Sequence, residues 1–177
     1  MGSLGSIAAS RIARAFHFGG PSHTVCSEEA SAARAVELAV RALRAGEIDR
    51  ALAGGVELAG DPRMVLPGGP LEGVPGEGAA MLVLKRLADA ERDGDRVYAV
   101  IVGIGSAGGG EPGVPATSAE GLDAAVTRAG LEAPLDGAIP FDAAADLGQT
   151  GAASAAASLV KACLAVYQEV LPGGQNP

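Results

Sequence analysis

Between residues 30 and 45, Val36, Leu38, Ala39, Val40, Ala42 and Leu43 form a wide apolar face, with Arg34, Glu37, Arg41 and Arg44 as polar relief. The spacing, filled by good helix formers, predicts a helix from Ala30 to Ala45. Ser27 is a suitable N-cap, and Glu28 and Glu29 add negative charge where the helix dipole favours it. Gly46 is a natural stop. A short strand, His23 to Cys26, precedes the helix across a tight corner. The chain is organised around this strand–corner–helix unit, residues 19–47.

The flanking patterns predict further elements. Residues 3–18 suit a helix with Ile7, Ile12 and Phe16 facing a core. Ala51 to Leu58 reads as a strand, and Gly54 and Gly55 in its middle let another backbone come close. Residues 59–78 are punctuated by Gly and Pro and read as a loop. A strand from Ala79 to Leu84, a short helix from Leu87 to Arg92, a Gly-Asp turn and a strand from Val97 to Ile104 follow. The apolar runs suit strands covered on both faces. A loop over 105–117, a helix from Ser118 to Ala129, a brief strand from Leu135 to Ile139 and an Ala-rich helix from Thr150 to Val166 complete the chain.

Composition narrows the function. At 177 residues the chain has room for one domain. Apolar residues make up 48%, but many are Ala and aromatics are only 3%, so the core has little area per residue. A net charge of −8 argues against nucleic acid and anionic membranes. No leader and no apolar run long enough to span a bilayer are seen. Two Cys outside any C-x-x-C pattern suit a reduced, cytoplasmic setting. With two His as well, there are too few soft ligands for structural zinc, and no metal or cofactor is expected. Residues 103–108 spell G-x-G-x-x-G after a strand. The dinucleotide motif needs a helix starting at its glycines, and Gly109, Gly110, Pro112, Gly113 and Pro115 follow instead.

Gly20, Pro21, Thr24 and Val25, then Arg44, Gly46, Asp49 and Ala51 to Gly55, lie in one register with a known pattern. It is the nucleophile strand and helix of the β-ketoacyl synthases, in the thiolase-like superfamily. Arg11, Phe16 and Phe18 resemble the segment before that strand. Residues 76–103 resemble the segment after it, from G-E-G-A to the Tyr-Ala strand. Gly148, Thr150, Ala152, Lys161 and Leu164 resemble the family's G-H-T helix. On this register the family's catalytic Cys falls on Glu29 and one catalytic His on Gln149. The H-G-T-G-T motif carrying the other His has no room between Ile139 and Gly148. Cys26 stands where the family has Asp.

The resemblance implies an α/β, partial thiolase-like fold, layered α-β-α-β-α. Mixed sheets surround buried Ala-rich helices, and the first and closing strands are absent. Residues 1–177 are expected to be a single truncated domain, 1–87 from the N-terminal half of the family fold and 88–177 from the C-terminal half. The family condenses acyl thioesters through a thiolate at a helix N-terminus and two imidazoles. Glu29 and Gln149 cannot replace these groups, so condensation should be lost. The S-E-E-A-S run is most similar to ketosynthase-like or chain-length-factor units of polyunsaturated fatty acid and polyketide synthases. That implies a structural or assembly role, as a homodimer or paired with an active ketosynthase, with acyl carrier protein as a further partner.

The alternative is a residual thioester enzyme, a malonyl-carrier-protein decarboxylase or acyltransferase, using Glu29 or a displaced thiol at Cys26. Against it, a small buried Cys is the commoner outcome for Cys26. Cys163, amid Ala and Leu, reads as packing, and His17 and His23 as ordinary packed or surface histidines. Glu28 and Glu29 have a plain reading too, as a first turn stabilised by its dipole.

Overall fold

The computed structural model describes residues 5–58, 75–106, 129–130 and 141–170. The chain divides into two compact units, Met1–Tyr98 with Phe141–Pro177, and Ala99–Pro140. In the first unit the elements are α1 (Ala8–Ala15), α2 (Ser31–Arg44), β1 (Arg50–Glu57), β2 (Gly78–Lys85), α3 (Leu87–Asp93), α4 (Ala144–Leu147) and α5 (Ser154–Gln168). Single 3-10 turns at Gly5–Ile7, Glu28–Ala30 and Gly151–Ala153 lead into α1, α2 and α5.

α2 is the centre, as its apolar face predicts. Val36, Val40 and Leu43 are buried, with Ala32 one turn earlier, and Val36 is wholly enclosed. The helix packs on β1 and touches α5. It stops where Gly46 takes φ +72°. There the Glu47 N–H donates to the Ala42 carbonyl at 3.0 Å and the Gly46 N–H to Leu43 at 3.2 Å, a Schellman closure. Gly94, at φ +70°, ends α3 in the same way.

β1 and β2 pair antiparallel, from Arg50 opposite Lys85 to Glu57 opposite Gly78. Gly55 shows why this strand needs small residues. A Cβ there would run into the Ala152 carbonyl and lie 2.9 Å from the Ala32 Cβ. The helix-to-sheet spacing is set by Gly and Ala on both sides, and the core is built mainly of alanines, including Ala53, Ala153 and Ala156. α5 packs on β2, and the 151–153 turn packs on β1. The segment around α4 is tied to α5, since Ser158 Oγ accepts the Ala143 N–H at 3.1 Å and Lys161 Nζ donates to the Asp142 carbonyl at 2.8 Å.

Arg86, between β2 and α3, joins distant parts. Its guanidinium donates to the carbonyls of Leu43 (3.0 Å) and Ile48 (2.8 Å), and to the carboxylates of Asp89 (2.6 Å) and Asp49. Lys85 lies 2.5 Å from both Asp93 and Asp95. Hydrogen bonds from Arg92 and Lys85 hold the Asp93 carboxyl well below the usual carboxylate range, and Arg86 lowers Asp89 in the same way. Asp93 and Asp95 raise Lys85.

Several expectations are corrected. α1 forms, but none of its residues is buried, and Ile12 and Phe16 are exposed because no described element covers them. His23 to Cys26 is not a strand, since no neighbour among the described residues supplies ladder hydrogen bonds. Residues 97–104 do not form a strand either. Among the described residues the sheet is covered on one face, and Leu52, Val56, Met81 and Val83 on the other are exposed. Glu37 is buried, its carboxylate covered by Arg34 and Arg41, the latter at 2.5 Å. The one described sheet is antiparallel. Within the second unit the Ala129 carbonyl lies so close to Gly103 that a Cβ there would clash with it. The helix from Ser118 and the strand from Leu135 lie outside the described residues, as does most of the 59–78 loop.

Candidate functional site

The site begins at the corner before α2. Ser27 does not cap the helix. Ser31 does the work instead: its Oγ accepts the Ser27 N–H at 2.9 Å and donates to the Glu28 carbonyl at 2.5 Å. This closes the turn and holds Glu28 in the left-handed region, φ +51°, a conformation unusual for a residue other than Gly, Asn or Asp. Glu28 and Glu29 are both exposed on the turn. Cys26 is exposed in the extended segment just before it, not the small buried cysteine expected.

Facing this turn is the start of α5. α4 ends at Gly148, φ +76°, and the chain then passes Gln149 and the buried Thr150 into the 151–153 turn. Gln149 is fixed by its backbone: it bridges Pro75 in parallel fashion, and its carbonyl accepts the Gly76 N–H at 3.0 Å. Gly76 has no room for a side chain, because a Cβ would meet the Leu147 carbonyl. The 28–30 turn packs against the 151–153 turn and against α5. The fold thus gathers the neighbourhoods of Glu29 and Gln149, although 120 residues separate them in the chain.

Glu57 completes the arrangement. From the end of β1 its carboxylate accepts the Ala152 N–H at 2.9 Å, and its Oε2 would lie 2.5 Å from a Cβ on Gly151. The N-terminal N–H groups of a helix favour an anion, and here one is supplied by the chain itself. This partnership spans 95 residues, and local pattern carried no signal of it.

Chemically the corner carries carboxylates, not thiol. Transfer of an acyl group from a thioester to a carboxylate gives a mixed anhydride, which is more reactive than the thioester, so the equilibrium opposes it. Gln149 is an amide, with no acidic or basic group that titrates near neutral pH, so it cannot serve as a general acid or base. Cys163, part-way along α5, is half-buried, and burial pushes its thiol pKa up, which suits packing and not nucleophilic chemistry. His17 and His23 are both exposed. Among the described residues no cluster of three His, Cys, Asp or Glu could hold a metal ion. A polar cleft of about 770 Å³ lies elsewhere, at the Arg86 junction, and neither Glu29, Cys26 nor Gln149 lines it. Its Arg86, Lys85 and Arg92 are paired with Asp49, Asp89, Asp93 and Asp95. No helix among the described residues is long and apolar enough to cross a membrane.

Comparison with known proteins identifies the class of protein to which this arrangement belongs. The family model for the β-ketoacyl synthase N-terminal domain matches residues 1–68. The phthioceranic/hydroxyphthioceranic acid synthase of Mycobacterium tuberculosis is 39% identical over 150 residues, 75% of this chain and 7% of that protein. A mycocerosic acid synthase-like polyketide synthase of Mycolicibacterium smegmatis is 31% identical over 222 residues, covering 97% of this chain and 10% of that protein. That stretch is longer than this chain itself, so the similarity spans gaps.

Two solved structures are similar in fold. The ketosynthase from module 6 of the bacillaene synthase of Bacillus subtilis 168 gives a TM-score of 0.78 at 29% identity, over 99% of this chain and 40% of that one. An oxazolomycin ketosynthase domain of Streptomyces albus JA3453 gives 0.72 at 27% identity, over 96% of this chain and 56% of that one. The chain belongs to the β-ketoacyl synthase family, as a ketosynthase-like domain of the fatty acid and polyketide synthase type. It spans only about a tenth or less of the synthases it matches and roughly half or less of the ketosynthase structures.

Proposed function

We propose that this chain is a single truncated ketosynthase-like unit without condensing activity, serving assembly within a fatty acid or polyketide synthase. One observation carries the reading. The corner where the family register puts the nucleophile holds exposed Glu28 and Glu29. The helix start packed against it offers Gln149 and an N–H already taken by Glu57. A thiolate and two imidazoles are what the family reaction needs, and neither side of this contact supplies them at the matching positions. The partner in the proposed role is a second copy or an active ketosynthase, with acyl carrier protein engaged through the assembly.

The test is incubation of the protein with malonyl-carrier protein and with an acyl-carrier protein, followed by mass spectrometry and measurement of carbon dioxide. No acyl-protein adduct and no carbon dioxide above the protein-free rate are expected. Condensed product would sink the proposal. Sedimentation of the chain alone, and mixed with a ketosynthase, tests the pairing. A sharp monomer in both, with cooperative unfolding, would overturn the assembly role.

A second reading has one observation in its favour: Cys26 is exposed beside the corner, where a thioester could reach it. It predicts an adduct on Cys26 that Cys26→Ala abolishes, or carbon dioxide release that Glu29→Ala abolishes.

A further inference from the structure

We draw no further inference here: the strongest candidate, the exposed apolar face of the β1–β2 sheet formed by Leu52, Val56, Met81 and Val83, carries nothing because nothing in the structure shows what covers it.

Discussion

Glu57 and Ala152 are joined by a hydrogen bond of 2.9 Å that ties the end of β1 to the start of α5. The carboxylate meets a helix N-terminus, where backbone N–H groups lack intrahelical partners. We predict that Glu57→Ala lowers stability by about 1 kcal/mol, the usual cost of losing an N-terminal cap. Glu57→Gln keeps an acceptor and should lose less. Chemical denaturation of the three proteins checks the order. Equal stability of wild type and Glu57→Ala would refute a capping role.

Gly55 sits where β1, α2 and the 151–153 turn meet. Gly55→Val should cost about 3 kcal/mol or more, because the added Cβ meets backbone that cannot step aside. Thermal melts monitored by circular dichroism would report it. Val36→Ala, which removes the largest wholly buried side chain among the described residues, should cost about 2 kcal/mol.

The carboxylates of Asp93 and Asp89 bind protons less readily in the folded chain, through Arg92 and Lys85 at Asp93 and through Arg86 at Asp89. A depressed folded pKa means that the unfolded chain binds protons first as pH falls. Their contribution is present above the ordinary value of 3.8, and is lost as pH drops below it. Melting temperatures measured from pH 6 to pH 2 should therefore fall below about pH 4. Asp93→Asn should flatten part of that fall. Lys85 has the opposite sign: its raised pKa adds stability below the ordinary value of 10.5, lost as pH climbs through its folded value.

Arg86 bonds two carbonyls and two carboxylates at once. Arg86→Lys keeps the charge but loses the fork that reaches all four, so it should lose much of what Arg86→Ala loses. Amide exchange at the end of α2 is the measurement, since Leu43 is among the acceptors. Unchanged protection in Arg86→Ala would show that the junction contributes nothing.

On the register proposed above, Glu29→Cys places sulfur at the position read as the family's nucleophile and leaves residue 149 an amide. We expect the variant to react with iodoacetamide at the new thiol and still form no condensed product from acyl and malonyl carrier proteins. Condensation by this variant would show that Glu29 alone silences the chain.

Local rules made the central helix legible. Its apolar spacing, the Gly46 stop and the small residues of β1 all act within a few residues of themselves, so periodicity and conformational preference expose them. The family motifs were likewise legible, and the proposal for Glu29 and Gln149 rests on the register they carry. Other features depended on partners far along the chain. His23 to Cys26 has strand-like residues, yet a strand exists only where a neighbour accepts its hydrogen bonds. Ile12 and Phe16 have the spacing of a core face, but spacing does not supply a covering layer. Ser31, not Ser27, closes the corner, because the 3-10 turn moved the helix start. The bond from Glu57 to Ala152 crosses 95 residues, and only folding brings that carboxylate to a helix start. Residue types and their short-range order decided which side chains were available. Which of them met was decided by long-range packing, whose energy depends on neighbours that no local pattern names.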